Sequence, residues 1–225
     1  MDIEVLRRAP LFAHLSDEAF AVLTDELVEV DLSRGASVFD EGDQGDQLYV
    51  IVTGKIKLGR TSPDGRENLL AVLGPGELFG EMALFDPSPR NATATAVSET
   101  RLAGLRHENL RKAIQASPDV SLQLLQALAR RLRRTNDSLA DLVFSDVPGR
   151  VAKALLDLAD RFGRPTTDGI LVAHELTQEE LAQLVGASRE TVNKALAEVG
   201  QRGGLRLEAR AVVILDLQRL RQRSR

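Results

Sequence analysis

The chain of 225 residues contains no cysteine and no tryptophan, and only one tyrosine, two methionines and three histidines. Without cysteine there is no disulfide, no cysteine-ligated iron–sulfur cluster, no thiolate-bound haem and no thiol nucleophile, which fits a chain folded in a reducing compartment. Apolar runs approaching the roughly 18 residues of a membrane-spanning helix are also missing. The opening stretch MDIEVLRRAPLF lacks the apolar core of a secretory signal. A soluble, cytoplasmic protein with no membrane contact is the expectation. The fingerprints of common catalytic sites are absent too: no Walker loop, no dinucleotide-binding glycine pattern after a strand, no nucleophile elbow and no metal-ligand spacing. His14, His107 and His174 lie far apart in sequence and read as ordinary surface or core residues. Neither an enzyme nor a metal site is expected.

What is present allows two modest domains with real cores, since 43% of residues are hydrophobic and 28% charged. The net charge of −4 conceals a segregation. Residues 1–146 hold 16 Lys and Arg against 23 Asp and Glu, a net of −7, whereas residues 147–225 hold 13 against 10, a net of +3. A basic C-terminal part beside an acidic N-terminal part is a weak pointer to nucleic acid.

Pattern along the chain refines this division. A short helical start is predicted from Val5 to Leu32, with Ser16 as a helix cap. For about 75 residues thereafter, short runs such as QLYVIV, KIKLGR, ENLLAVL and TATAV alternate with Gly, Pro and Asp. That pattern predicts a β sandwich or jelly roll over residues 1–116. Ser117 and Pro118 then open a helix that runs to about Phe144 without a further Gly or Pro. Its apolar seam, Leu125, Leu128, Leu132, Thr135, Leu139 and Leu142, steps by three and four as a coiled-coil stripe does. Such a stripe either packs on its own β domain or pairs with a twin; a homodimer is the expectation. Asp146 caps a new helix, which makes residues 144–146 the hinge and residues 147–225 a further domain.

Within that domain LTQEELAQLVGASRETVNKALAEV, Leu176 to Val199, is patterned as a helix-turn-helix. Thr177 and Glu180 form a capping box, Gly186 marks the tight turn and Ser188 caps the second helix. Leu181, Ala182, Val185, Val192 and Ala195 supply small and apolar contacts between the helices. LRLEARAVVIL, Leu205 to Leu215, reads as a hairpin wing. In the major groove of double-stranded DNA, Arg189 and Lys194 would donate to guanine and Glu190 would accept from cytosine. Thr177, Ser188 and Thr191 suit phosphate.

One stretch of the β region is at odds with its surroundings. FGEMALFDPSPRNATA, Phe79 to Ala94, places Glu81 and Arg90 inside otherwise apolar sequence, where charges need partners. Together with ARRLRRTNDSLADLVFSDVPGRVAKALL and the helix-turn-helix block, this stretch resembles the cyclic-AMP receptor protein (catabolite activator) branch of the Crp–Fnr transcription-regulator superfamily, its actinobacterial members most of all. The resemblance covers nearly the whole chain. It implies an α+β protein: a cyclic-nucleotide-binding β jelly roll, a long dimerisation helix and a C-terminal winged helix-turn-helix. It further implies that Arg90 holds the cyclic phosphate of cyclic AMP, with backbone donors from Gly80, Glu81, Met82 and Ala83, and that Glu81 takes the ribose 2′-hydroxyl. Asn91 would add a donor, while Thr135 would contact adenine and Asn136 would act from the partner subunit. Palindromic TGTGA-like operators and RNA polymerase are the implied partners.

The match is imperfect at three places. Asn91 replaces the usual Ser or Thr yet still donates, so nucleotide binding is expected to persist. Asn136 stands where the best-known members have Ser, which bears on affinity and on the choice between adenine and guanine. Gly204 lacks a bulky side chain before the wing and is expected to loosen it. The rival within the family is a regulator that binds DNA largely without cyclic nucleotide or answers another effector. As a catalytic pair, Glu81 and Arg90 lack any nucleophile or base beside them.

Overall fold

The computed structural model describes residues 3–9, 12, 15–86 and 88–224; His14 lies outside them. The chain divides into two compact units, Met1–Arg60 with Leu70–Arg134, and Thr61–Leu69 with Thr135–Arg225.

Two short helices, α1 (Ile3–Arg8) and α2 (Asp17–Thr24), precede the first strands. These are β1 (Val28–Leu32), β2 (Ser37–Phe39), β3 (Gln47–Thr53), β4 (Ile56–Thr61), β5 (Glu67–Leu73), β6 (Leu78–Phe79), β7 (Thr93–Ala96) and β8 (Thr100–Arg106), with helix α3 (Met82–Phe85) between β6 and β7. They form two four-stranded sheets, ordered β1-β8-β3-β6 and β2-β7-β4-β5. Strand alternation explains the layering. Tyr49 and Ile51 of β3, with Phe79 and Leu102, meet Ile56, Leu73, Ala94 and Ala96 of the other sheet. The intervening Leu48, Val50 and Val52 point the opposite way and pack with Leu6, Phe20, Leu23, Leu110, Val120 and Leu124 from helices. The uninterrupted apolar run LYVIV is thus a strand buried on both faces.

The expected helical start is overturned beyond Thr24. Val28–Leu32 is strand β1, paired antiparallel with β8; its alternating V-E-V-D-L favours a strand once a distant partner is available. Helix α4 (His107–Ala116) follows β8, and α5 (Pro118–Phe144) is one continuous helix of 27 residues. Val120 and Leu124 of α5 join the core, while Leu125, Leu132, Leu139 and Leu142 stay exposed, Leu132 at 62%.

The C-terminal fold contains α6 (Val147–Phe162), β9 (Gly163–Pro165), β10 (Ile170–Val172), α7 (Gln178–Val185), α8 (Arg189–Gln201), β11 (Leu205–Glu208), β12 (Ala211–Ile214) and α9 (Leu217–Arg223). The wing hairpin belongs to a larger sheet, ordered β11-β12-β10-β9. Helices α6, α7 and α8 close on one core through Val151, Leu155, Leu181, Val185, Val192 and Leu196. The expectation of a loose wing is also overturned. Gly204 is buried, its N–H donates to Val199 O at 3.0 Å, and its O accepts from Leu215 N at 3.0 Å and Asp216 N at 3.2 Å. An added Cβ would lie 2.9 Å from Val199 Cγ1, so the missing side chain permits a tight approach. His174 is a buried core residue whose Nδ1 accepts from Leu176 N–H. No helix among the described residues is long and apolar enough to cross a membrane.

Candidate nucleotide pocket and nucleic-acid interface

Strand β6 ends at Phe79, and Gly80 turns the chain with φ of +80°, a left-handed conformation suited to glycine. Glu81 follows and is fully buried. Its Oε1 accepts from Arg131 Nη1 of α5 at 2.6 Å, and Arg131 Nη2 donates to Leu78 O. The other oxygen, Oε2, is buried without a partner.

Arg90 is 6% exposed. Nη1 donates to Gly80 O at 2.5 Å, Nη2 donates to Gln47 O at 2.7 Å, and the guanidinium lies 4.2 Å from the Phe39 ring centroid. Nε is buried and unpartnered. Burial lowers the Arg90 pKa, against the opposing fields of Tyr49, Asp46, Glu81 and Asp43; burial likewise raises that of Tyr49. Gly45 makes room for the guanidinium, since an added Cβ would sit 2.6 Å from Arg90 Cζ and 2.8 Å from Ala83 Cβ. Arg90 is further fixed by its backbone, which donates to Asp43 O and accepts from Gly42 N–H.

The fold therefore gathers Gly80, Glu81, Met82, Ala83, Arg90 and Asn91 on one side of the β domain. Among the described residues Asn91 Nδ2 reaches Met82 Sδ, at 3.5 Å, and both are exposed. Thr135 and Asn136 are exposed on α5, with Thr135 one helical turn beyond Arg131. Sequence reasoning missed Arg131, which is one of four arginines in ARRLRR, where nothing local separates the one that pairs with Glu81 from the rest. The glycines between the strand runs, Gly45 among them, read only as breaks in the pattern. The chemistry of this cluster is specific. A permanent cation rests on two neutral carbonyls, and a carboxylate keeps one oxygen idle. Buried polar atoms without partners are rare and each costs about 1–3 kcal/mol. By their chemistry Arg90 pairs with an anionic oxygen, and the idle oxygen of Glu81 accepts from a hydroxyl.

In the C-terminal fold, Thr177 Oγ1 accepts from Glu180 N–H at 3.1 Å and Glu180 Oε2 accepts from Thr177 N–H at 2.7 Å, which completes the capping box. Gly186 takes φ of +68° at the turn. Ser188 Oγ accepts from Thr191 N–H and also bonds Thr191 Oγ1 at 2.8 Å, so both hydroxyls serve the cap of α8. Glu190 and Lys194 form an ion pair at 2.9 Å, both more than 75% exposed. Arg189 is exposed beside them. Arg150, also missed from sequence, donates to Ser145 O just before α6 and to Val185 O and Gly186 O at the turn.

Comparison with known proteins places both halves. The family described as "Cyclic nucleotide-binding domain" matches residues 29–117, and the one described as "Crp-like helix-turn-helix domain" matches residues 149–223. Over 222 residues, 99% of each chain, the sequence is 55% identical to the CRP-like cAMP-activated global transcriptional regulator of Mycobacterium tuberculosis. The chain belongs to the Crp family of transcription regulators. This Crp-family chain is also 37% identical to the cyclic AMP receptor protein of Thermus thermophilus, over 94% of this chain and 97% of that one. A solved structure of another Crp-family transcriptional regulator from Thermus thermophilus shares the fold, with a TM-score of 0.75 and 28% identity over 87% of this chain and 96% of that one. The Crp-family relatives are regulators and not enzymes, which disposes of Glu81 and Arg90 as a catalytic pair. Among the described residues no His, Cys, Asp and Glu cluster could hold a metal ion.

Proposed function

We propose that this Crp-family regulator is a cytoplasmic homodimer that binds cyclic AMP in the β domain and then engages TGTGA-like palindromes to control RNA polymerase. The observation that carries the ligand assignment is the paired deficiency of Arg90 Nε and Glu81 Oε2. A cyclic phosphate supplies the acceptor that a guanidinium forks onto, and a ribose 2′-hydroxyl supplies the donor that an ionised carboxylate lacks. The relatives named for cyclic AMP support the adenine nucleotide. The exposed seam of α5 supports pairing with a second copy, because four leucines at heptad-like spacing lie open. Thr135 and Asn136, on the same helix, are assigned to the base. Thr177, Ser188 and Thr191 are assigned to phosphates, and Arg189, Glu190 and Lys194 to base edges. The Glu190–Lys194 pair opens on binding at little cost, since exposed ion pairs contribute at most about 1 kcal/mol.

The deciding experiment is an anisotropy titration of a labelled TGTGA-N6-TCACA duplex at fixed salt, with and without cyclic AMP, alongside calorimetry of the nucleotide alone. Tight binding that requires cyclic AMP is expected. Equal binding with and without it, despite nucleotide uptake in the calorimeter, favours the rival regulator with a weak switch or another signal.

A further inference from the structure

The geometry points to Asn193 as a base-reading residue that selects an adenine in each half-site, an inference that rests on α8 being the DNA-reading helix. Asn193 sits in the middle of α8, five residues from its cap, and is exposed. Among the described residues its side chain makes no hydrogen bond. Asparagine is a poor helix former away from caps because its amide competes for backbone groups. Here it neither caps nor packs. A locally unfavourable residue with no compensating contact inside the fold is where a demand from outside the fold is expected.

Its place on the helix fits that demand. Val192, Ala195, Leu196 and Val199 define the buried face of α8. At about 100° per residue, Asn193 lies about 40° round from Arg189 and about 60° short of Glu190, between these two candidate readers. It stands one turn, roughly 6 Å, further along the axis than Arg189, which spans fewer than two base steps at about 3.4 Å each. Arginine forks onto guanine, and a carboxamide is the side chain that forks onto adenine N6 and N7. The sequence therefore presents a guanine reader and an adenine reader in adjacent register, with Glu190 and Lys194 beyond them. The expected half-site has an A·T pair within two steps of the G·C pair read by Arg189.

The test is selection from a randomised duplex library by the full-length protein with cyclic AMP, comparing the unsubstituted chain, Asn193→Ala and Arg189→Ala. Asn193→Ala should lose the preference at one A·T position per half-site, by roughly 5- to 150-fold, and keep its guanine and cytosine positions. Its thermal midpoint should rise by about 1–2 °C, because alanine is the better helix former. Loss of specificity with a gain in stability is a pairing that a structural role for Asn193 does not produce. The inference is overturned by an unchanged selected motif. It is equally overturned by a uniform loss of affinity on all duplexes, which would make Asn193 a phosphate contact. If the unsubstituted chain enriches no motif while Asn193→Ala behaves the same, the DNA-reading assignment of α8 fails and this inference with it.

Discussion

Two carbonyls, an aromatic face and the space left by Gly45 fix the Arg90 guanidinium. Preorganisation of this kind reduces the ordering cost of binding. Arg90→Ala removes the only assigned cation for the phosphate, and calorimetry should show cyclic AMP affinity falling by at least about 100-fold, the loss of one or two charge-assisted bonds. The retained fold is checked by an unchanged circular dichroism spectrum. Gly45→Ala tests the cradle itself. Its Cβ would collide with the end of the Arg90 side chain, so the change should reduce nucleotide affinity far more than it lowers the thermal midpoint. An unaltered calorimetric titration of Gly45→Ala would show that the guanidinium position is not critical. Glu81 and Arg90 were legible in sequence because charge in an apolar stretch is conspicuous. Arg131 was not, because its pairing with Glu81 and Leu78 O depends on where α5 lies against β6, and no local pattern reports that.

Helix ends show the same division between local and distant causes. The capping box of α7, the left-handed Gly186 and the Asp146 cap of α6 all lie within a few residues of what they cap, and each is plain from sequence. Strand β1 and helix α9 were misread or missed because their partners are remote: β1 needs β8, and α9 buries Leu220 in a core assembled from α6 onward. Asp146 joins the two kinds of cause. Its carboxylate accepts from Gly149 N–H at 2.9 Å and from Arg223 Nη2 of α9 at 2.6 Å. The Arg223 bond, then the Gly149 bond, hold its pKa below the usual carboxylate value. A depressed folded-state pKa contributes stability above the unfolded value of about 3.9, and that contribution disappears as pH falls through the folded value. Asp146→Asn keeps a good cap and loses only the charge. It should therefore unfold at a lower temperature than the unsubstituted chain at pH 7, with the difference disappearing as pH falls through the folded value. Asp146→Ala loses the cap as well and should cost about 0.5–2 kcal/mol at neutral pH in denaturant unfolding.

For the molecule as a whole, the question is why a chain with two satisfied cores leaves a leucine stripe in water. Leu125, Leu132, Leu139 and Leu142 are more than half exposed on a helix whose N-terminal part is already anchored by Val120 and Leu124. Leucines this exposed add little to the stability of one chain, which supports the proposed pairing with a second copy. The charge segregation carries the same logic, since a modest +3 on each C-terminal fold grips DNA better when two folds are joined. Leu132→Glu places a charge in the proposed seam without touching either core. Sedimentation should find this variant as a folded monomer at concentrations where the unsubstituted chain is dimeric. Its affinity for a duplex with two half-sites should fall by about 10²- to 10⁴-fold, toward that for a single half-site, with a correspondingly shallower dependence on salt. A dimer that survives Leu132→Glu with DNA affinity intact would move the pairing surface off this seam. Thr135 and Asn136 would then have to reach the nucleotide from within one chain, and coupling between ligand and DNA could no longer run through paired helices.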